Sequence, residues 1–98
     1  MSATTGFTIP DKYVSIDYDI IVVIWHNTQG LYNKFRFIGN ALNTSASRAM
    51  SQGGYYSSSY YTNTQILFNN KKITLNSMMQ NGTDYKSGAL MSIIVKKR

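Results

Sequence analysis

Between Tyr13 and His26 the chain alternates. Val14, Ile16, Tyr18, Ile20, Val22 and Ile24 fall on one parity, and Tyr13, Ser15, Asp17, Asp19, Ile21, Val23 and Trp25 on the other. A period of two predicts a β-strand, because successive side chains point to opposite faces of a sheet. The second parity turns from polar to apolar at Ile21. The strand therefore passes from a half-wetted position into one apolar on both faces, as in a core or an interface. Asn27-Thr28-Gln29-Gly30 supplies turn chemistry. A second strand follows, with Leu31, Phe35 and Phe37 on one face and Tyr32, Lys34, Arg36 and Ile38 on the other. The two strands read as a hairpin.

After Gly39 the spacing changes. Leu42, Ala46, Ala49 and Met50 recur at helical intervals with Arg48 opposite them, and Gly53-Gly54 stops the run. This predicts one short helix over residues 41–51. Tyr55 to Tyr61, low in complexity and behind two glycines, starts as a loop, with a strand beginning near Tyr60. Gln65 to Phe68, Asn69-Asn70 and Lys71 to Leu75 form a strong hairpin signal, since Asn accepts positive φ at tight-turn positions. A turn at Asn81-Gly82 precedes a last strand, where Ala89, Met91, Ile93 and Val95 alternate with Leu90, Ser92 and Ile94. The sum is a mainly β (α+β) fold of about five mostly antiparallel strands and one short helix. No repeat of fixed period is present.

Residues 1–10 are small and polar apart from Phe7 and Ile9 and close on Pro10, so they read as an extended N-terminal arm. Residues 11–98 form a single β-rich domain ending in a basic tail, 96–98. At 98 residues the chain buries only about 60–65% of its unfolded surface, too little for two cores. Its longest apolar run, Ile20–Trp25, is six residues, well short of a membrane-spanning helix. The N-terminus has neither the positive nor the apolar region of a secretory leader, so the expected location is a virion or the cytoplasm.

Composition narrows the chemistry. The chain has no Cys, which excludes disulfides, thiolate metal sites and thiol catalysis, and a single histidine, His26. All four acids are Asp, at 11, 17, 19 and 84. His26 with Asp17 or Asp19 makes a triad only on paper, and a histidine at a strand end is ordinarily a hydrogen-bonder. Asp17 and Asp19, two apart on one strand face, read as the solvated side of that strand. No phosphate-cradling glycine motif occurs. Neither a catalytic set, nor a metal site, nor a cofactor is expected.

Charge is uneven. Residues 11–19 carry three acids against Lys12, whereas Ile20 to Arg98 hold nine Lys or Arg against Asp84. Opposite charge at the two ends would let copies attract head to tail, or let the basic part meet a polyanion. Solubility alone is the plain reading of the net +6. Basic and aromatic residues interleave at Tyr32, Lys34, Phe35, Arg36 and Phe37, the composition of sheets that bind single-stranded nucleic acid by stacking and phosphate contact. Lys34 and Arg36 share a parity opposite the two Phe, so the rings also fit a core position that leaves an ordinary cationic outer face.

Ser, Thr, Asn and Gln make up 33 residues, and Tyr55, Tyr56, Tyr60 and Tyr61 stand among Ser and Gly as in protein-binding loops. These features point to a non-enzymatic assembly subunit, a component of a virion or similar particle, that homo-oligomerises or packs on neighbouring structural proteins. Its expected protein contacts are Phe7, Ile9, Trp25, Tyr55, Tyr56, Tyr60 and Tyr61, with unguarded strand edges as pairing sites. The alternative is a single-stranded nucleic-acid binder. Its polyanion contacts are Tyr32, Lys34, Arg36, Lys71, Lys72, Lys96, Lys97 and Arg98.

Overall fold

The computed structural model describes residues 2–44, 46–57 and 60–98, with the side chains of all of these except Tyr55 and Tyr56. Eight strands are present among them: β1 (Phe7–Thr8), β2 (Tyr18–His26), β3 (Leu31–Ile38), β4 (Arg48–Ser57), β5 (Tyr60–Asn69), β6 (Lys72–Gln80), β7 (Thr83–Asp84) and β8 (Leu90–Lys97). They form two antiparallel sheets. One has the order β3-β2-β8; the other runs β1-β6-β5-β4, with β7 also on β6. The mainly β expectation holds, with six long strands and two of two residues.

The inner faces of the sheets make one core. Ile20, Val22, Ile24, Phe35 and Met91 from the first sheet meet Ile66, Phe68, Ile73, Leu75 and Met78 from the second. Phe37 stacks on Phe68 with ring centroids 5.4 Å apart. Parity read from the sequence places these residues correctly in β3 and β8. In β8, Met91 is buried and Ile93 and Val95 pack against the core, while Ser92 and Ile94 point out. The fully buried polar side chain here is Thr64, whose hydroxyl accepts from the Asn33 amide at 2.7 Å, a link from β5 across to β3. That pairing offsets the cost of burying the hydroxyl.

The helix expected over 41–51 is absent. Gly39–Leu42 makes one 3-10 turn, and Arg48 already begins β4, where Arg48, Ala49 and Met50 pair with Phe68, Leu67 and Ile66. Thr44 explains the break: its hydroxyl donates to the Ala46 carbonyl and accepts from the Ala46 amide, an alternative to helical bonding. The strand expected from Tyr13 starts instead at Tyr18. Pro10 opens a 3-10 turn at Asp11–Tyr13, and the Asp17 amide donates to the Ser15 hydroxyl, so the alternation there is not extended backbone. Tyr55 to Ser57 belong to β4 rather than to a loop. The β5–β6 turn lies one residue later than expected, with positive φ at Asn70 and Lys71.

The N-terminal residues are a strap on their own domain. Ser2 bridges Leu90 of β8, the Ala3 amide donates to Ala89, and the Leu75 amide of β6 donates to Ala3. Phe7 and Thr8 pair with Ile73 and Lys72, and the Ile9 amide donates to Lys71 at 2.8 Å. Ala3 and Ile9 are core residues at 0% and 1% exposure. The segment thus closes the seam between β6 and β8, and with β7 it covers the outer edge of β6. A reach away from the domain, as expected of an arm, is not what these residues do here.

Candidate functional site

The outer face of the β3-β2-β8 sheet collects six of the side chains singled out above, Trp25, Tyr32, Lys34, Arg36, Lys96 and Arg98. Register sets the rows: Tyr32–Trp25–Leu90, Lys34–Val23–Ser92, Arg36–Ile21–Ile94 and Ile38–Asp19–Lys96, with β2 in the middle of each. Down the centre runs an apolar stripe of Trp25, Val23 and Ile21, extended sideways by Ile94, Leu90 and Ile38. Tyr32 is 63% exposed, Ile94 49% and Ile38 37%, Trp25, Val23 and Leu90 are half-buried, and Ile21 is covered by its neighbours at 8%. In an antiparallel sheet with one face on the core, the other is ordinarily polar. Here it is apolar at its centre, with cations around it.

Four cations border the stripe, Lys34, Arg36, Lys96 and Arg98, against the single carboxylate of Asp19. Asp19 holds Arg36 at 2.6 Å and Arg98 at 3.4 Å, which ties the end of β3 and the chain's last residue to the start of β2. The Arg98 amide also donates to the Asp17 carbonyl at 2.8 Å. Among the described residues no carboxylate lies within ion-pair distance of Lys34 or Lys96. The face therefore presents a net positive rim around an apolar centre.

The other candidates lie elsewhere. Lys71 and Lys72 sit at the β5–β6 turn of the second sheet, and Lys71 is held by Asp11 at 2.8 Å. Lys97 follows the opposite parity to Lys96 and pairs with Tyr18. The eight expected polyanion contacts are thus not one surface; Tyr32, Lys34, Arg36, Lys96 and Arg98 share the outer face and the rest do not. Of the three acids in 11–19, Asp11 and Asp19 are paired within the chain.

Of the expected protein contacts, Ile9 is a core residue at 1% exposure. Phe7 is partly exposed beside a groove of about 340 Å³ with Ile9, Pro10, Tyr13 and the Met91–Val95 stretch of β8. Tyr60 and Tyr61 are exposed at the start of β5, and Tyr61 exchanges backbone and side-chain bonds with Asn81 at 2.9 Å. The side chains of Tyr55 and Tyr56 lie outside the described residues. A polar cleft of about 530 Å³ opens between β3 and β4, lined by Tyr32, Asn33, Ser51, Gln52, Tyr60 and Thr62 among others.

His26 contributes to local structure: its Nδ1 meets the Thr28 hydroxyl at 3.0 Å and its Nε2 the Ser87 carbonyl at 3.2 Å. Asp17 precedes β2, so it does not share a strand face with Asp19. Among the described residues no group of three or more His or Asp is placed to hold a metal, and no helix is long and apolar enough to cross a membrane.

Ile94, Leu90 and Ile38 were not singled out from the sequence as contact residues. Their signal was present, since all three stand on the parity opposite the core residues of their strands. Only the strand order β3-β2-β8 shows that they extend the Trp25–Ile21 stripe. Compared with known proteins, the chain matches no family model, no curated protein and no solved structure.

Proposed function

We propose that the chain is a non-enzymatic assembly subunit, a structural component of a virion or comparable particle, that packs on a neighbouring subunit through the outer face of the β3-β2-β8 sheet. The observation that carries this reading is the apolar stripe of Trp25, Val23, Ile21 and Ile94 on a face turned away from the core. An apolar centre inside a polar, Arg-bearing rim is the anatomy of protein interfaces. The exposed part of this apolar surface is Tyr32, Ile94 and Ile38 around half-buried Trp25 and Val23, with Ile21 covered by its neighbours, and such a surface on a small domain marks a contact site.

A second reading rests on a different feature of the same face. Tyr32 and Trp25 lie in one row beside Lys34, so rings for base stacking and a cation without a carboxylate partner are adjacent, as single-strand binding requires. The two readings respond to salt in opposite senses. Nucleic-acid binding weakens steeply as salt rises, whereas packing of like-charged apolar faces strengthens as the cations are screened.

Light scattering on size-exclusion chromatography, at low and high salt, with and without a mixed-sequence single-stranded oligonucleotide, separates them. The assembly reading expects an oligomer that ignores the oligonucleotide, holds at high salt, and loses mass in Ile94→Glu. A chain of 11.1 kDa that shifts only with oligonucleotide, and only at low salt, would overturn it and install the second reading.

A further inference from the structure

At one end of the core the inner faces of the two sheets change from apolar to neutral and polar. Along the inner face of β5 the residues run Phe68, Ile66, Thr64, Thr62 and Tyr60, with the first three buried, Thr62 half-buried and Tyr60 exposed. β4 follows the same course, because directly opposed residues share a face. Met50 stands opposite Ile66, Gln52 opposite Thr64 and Gly54 opposite Thr62. From β3, Asn33 reaches Thr64 at 2.7 Å. Past that bond the facing groups are hydroxyls, an amide and a glycine, with little apolar surface to draw the sheets together. There the cleft of about 530 Å³ opens between the sheets.

The chemistry of this cleft is narrow. From Ser51 to Gln65 the sequence has no charged and no aliphatic residue. Among the described residues that line the cleft there is no Lys, Arg, His or Asp, so a phosphate, a carboxylate or a metal ion would find no opposite charge. Leu31, the aliphatic residue of the lining, is 5% exposed, so neither an apolar ligand nor the side chains of a docked peptide strand would find a pocket. Hydrogen-bonding capacity, by contrast, is left over. Among the described residues the Gln52 side-chain amide and the Thr62 hydroxyl make no hydrogen bond, and the Asn33 side-chain amide makes only the bond to Thr64. Stability does not call for that polar pair, since two apolar groups of the same shape would serve about as well.

We infer that this cleft binds a neutral pyranose, as the free sugar or as one unit of a neutral glycan. A saccharide is uncharged, gives and accepts hydrogen bonds all round its ring, and has C–H faces that pack on aromatic rings. Asn33 and Gln52 each offer a planar amide that meets two adjacent hydroxyls, one as donor and one as acceptor. Thr62 adds a hydroxyl, and Tyr32 and Tyr60 bring rings from β3 and β5. The volume falls within the ~300–1,000 Å³ of small-molecule sites. At Gly30 nothing stands within 4 Å of where a Cβ would be, which leaves room for a glycan chain to continue. Apart from Tyr32, the site uses none of the residues of the outer-face contact, and it stands or falls without that contact.

Saturation-transfer difference NMR tests this on the full chain, because the signal read is the sugar's and does not require a small protein. The probes are methyl glucoside, methyl galactoside, methyl mannoside and maltotriose, with glucose 6-phosphate and a short peptide of Ser, Asn and Gly as controls. At least one neutral probe is expected to bind with a Kd of ~2 mM, the ordinary ligand efficiency of a pyranose with about 12 non-hydrogen atoms. Gln52→Ala, at an exposed position, weakens binding about fivefold, the loss of one neutral hydrogen bond. Asn33→Leu combined with Thr64→Val abolishes binding while thermal unfolding shows the fold retained. Ile94→Glu leaves binding unchanged, which keeps this result apart from that of the outer face. Tighter binding of maltotriose than of methyl glucoside assigns the site to a glycan chain, and equal binding assigns it to the single sugar. No transfer to any neutral probe at about 20 mM, ten times the expected Kd, overturns the inference. So does transfer that the combined Asn33 and Thr64 changes leave whole, or stronger transfer to glucose 6-phosphate or to the peptide.

Discussion

Ile9→Ala separates a residue that serves the chain's own core from one that serves a neighbour. Ile9 is 1% exposed, and its amide donates to Lys71 at 2.8 Å. Truncation to Ala removes three carbons, worth about 2.4 kcal/mol in transfer free energy at ~0.8 kcal/mol per buried group. The cavity left behind raises the loss to about 3.5 kcal/mol, inside the range for large-to-small changes in cores. For 98 residues the unfolding entropy is roughly 0.2 kcal/mol per kelvin, so the melting temperature should fall by about 15 °C. Thermal and urea unfolding of the isolated chain are the assays, with an unchanged urea slope marking a true loss of stability. Phe7→Ala is the control: Phe7 is 37% exposed, and its truncation should cost less than half as much. A drop of under about 3 °C for Ile9→Ala, with loss of an oligomer, would refute the reasoning and return the N-terminal residues to the role of an arm.

Gly53→Ala forces β4 away from β5, because the added methyl would meet the Thr62 carbonyl at 2.1 Å and the Asn63 Cα at 2.9 Å. Thermal unfolding should show a loss of about 2 kcal/mol, typical of overpacking. Gly30→Ala, at φ +65 with open space around it, should lose only the ~1 kcal/mol of left-handed strain. Asp19→Asn frees Arg36 and Arg98, whose side chains are about half exposed, so the ion pairs should contribute no more than about 1 kcal/mol to stability. The same change adds one positive charge to the outer face. Size-exclusion light scattering should therefore show a smaller outer-face oligomer at low salt and recovery at high salt; an unchanged profile would place the contact off that face.

Legibility in the sequence followed the range of the forces involved. Period-two alternation is local, and it set Phe35 and Phe37 on one face and Lys34 and Arg36 on the other before any neighbour was known. It also marked Ile21, Val23 and Trp25 as a second apolar face on one strand. The error at 41–51 has the opposite origin. Leu42, Ala46, Ala49 and Met50 do recur at helical spacing, but Ala49 and Met50 are claimed by Leu67 and Ile66, partners many residues away, and Thr44 ends the local alternative. Asn70 and Lys71, rather than Asn69 and Asn70, take the tight turn because pairing of Asn69 with Lys72 fixes the register. The arm misled for a similar reason: small residues such as Ala3 look unfit for a core until two strand edges are found to converge on them.

For a strongly basic chain, the proposed assembly must bring like charges together. At about 0.1 M salt, charge is screened beyond roughly 10 Å, so long-range repulsion between copies is muted while cations in direct apposition still repel. Asp11 pairs with Lys71, and Asp19 with Arg36 and Arg98, so among the described residues Lys34 and Lys96 stand on the outer face without a carboxylate within ion-pair distance. The two proposed modes of association carry opposite signs of salt dependence. Nucleic-acid binding would fall with salt, and outer-face packing would rise with it. One salt series on the wild-type chain therefore separates the two readings before any residue is changed. A mass that rises with salt and ignores oligonucleotide is the outcome expected of outer-face packing, and a mass that stays at one chain throughout would overturn it.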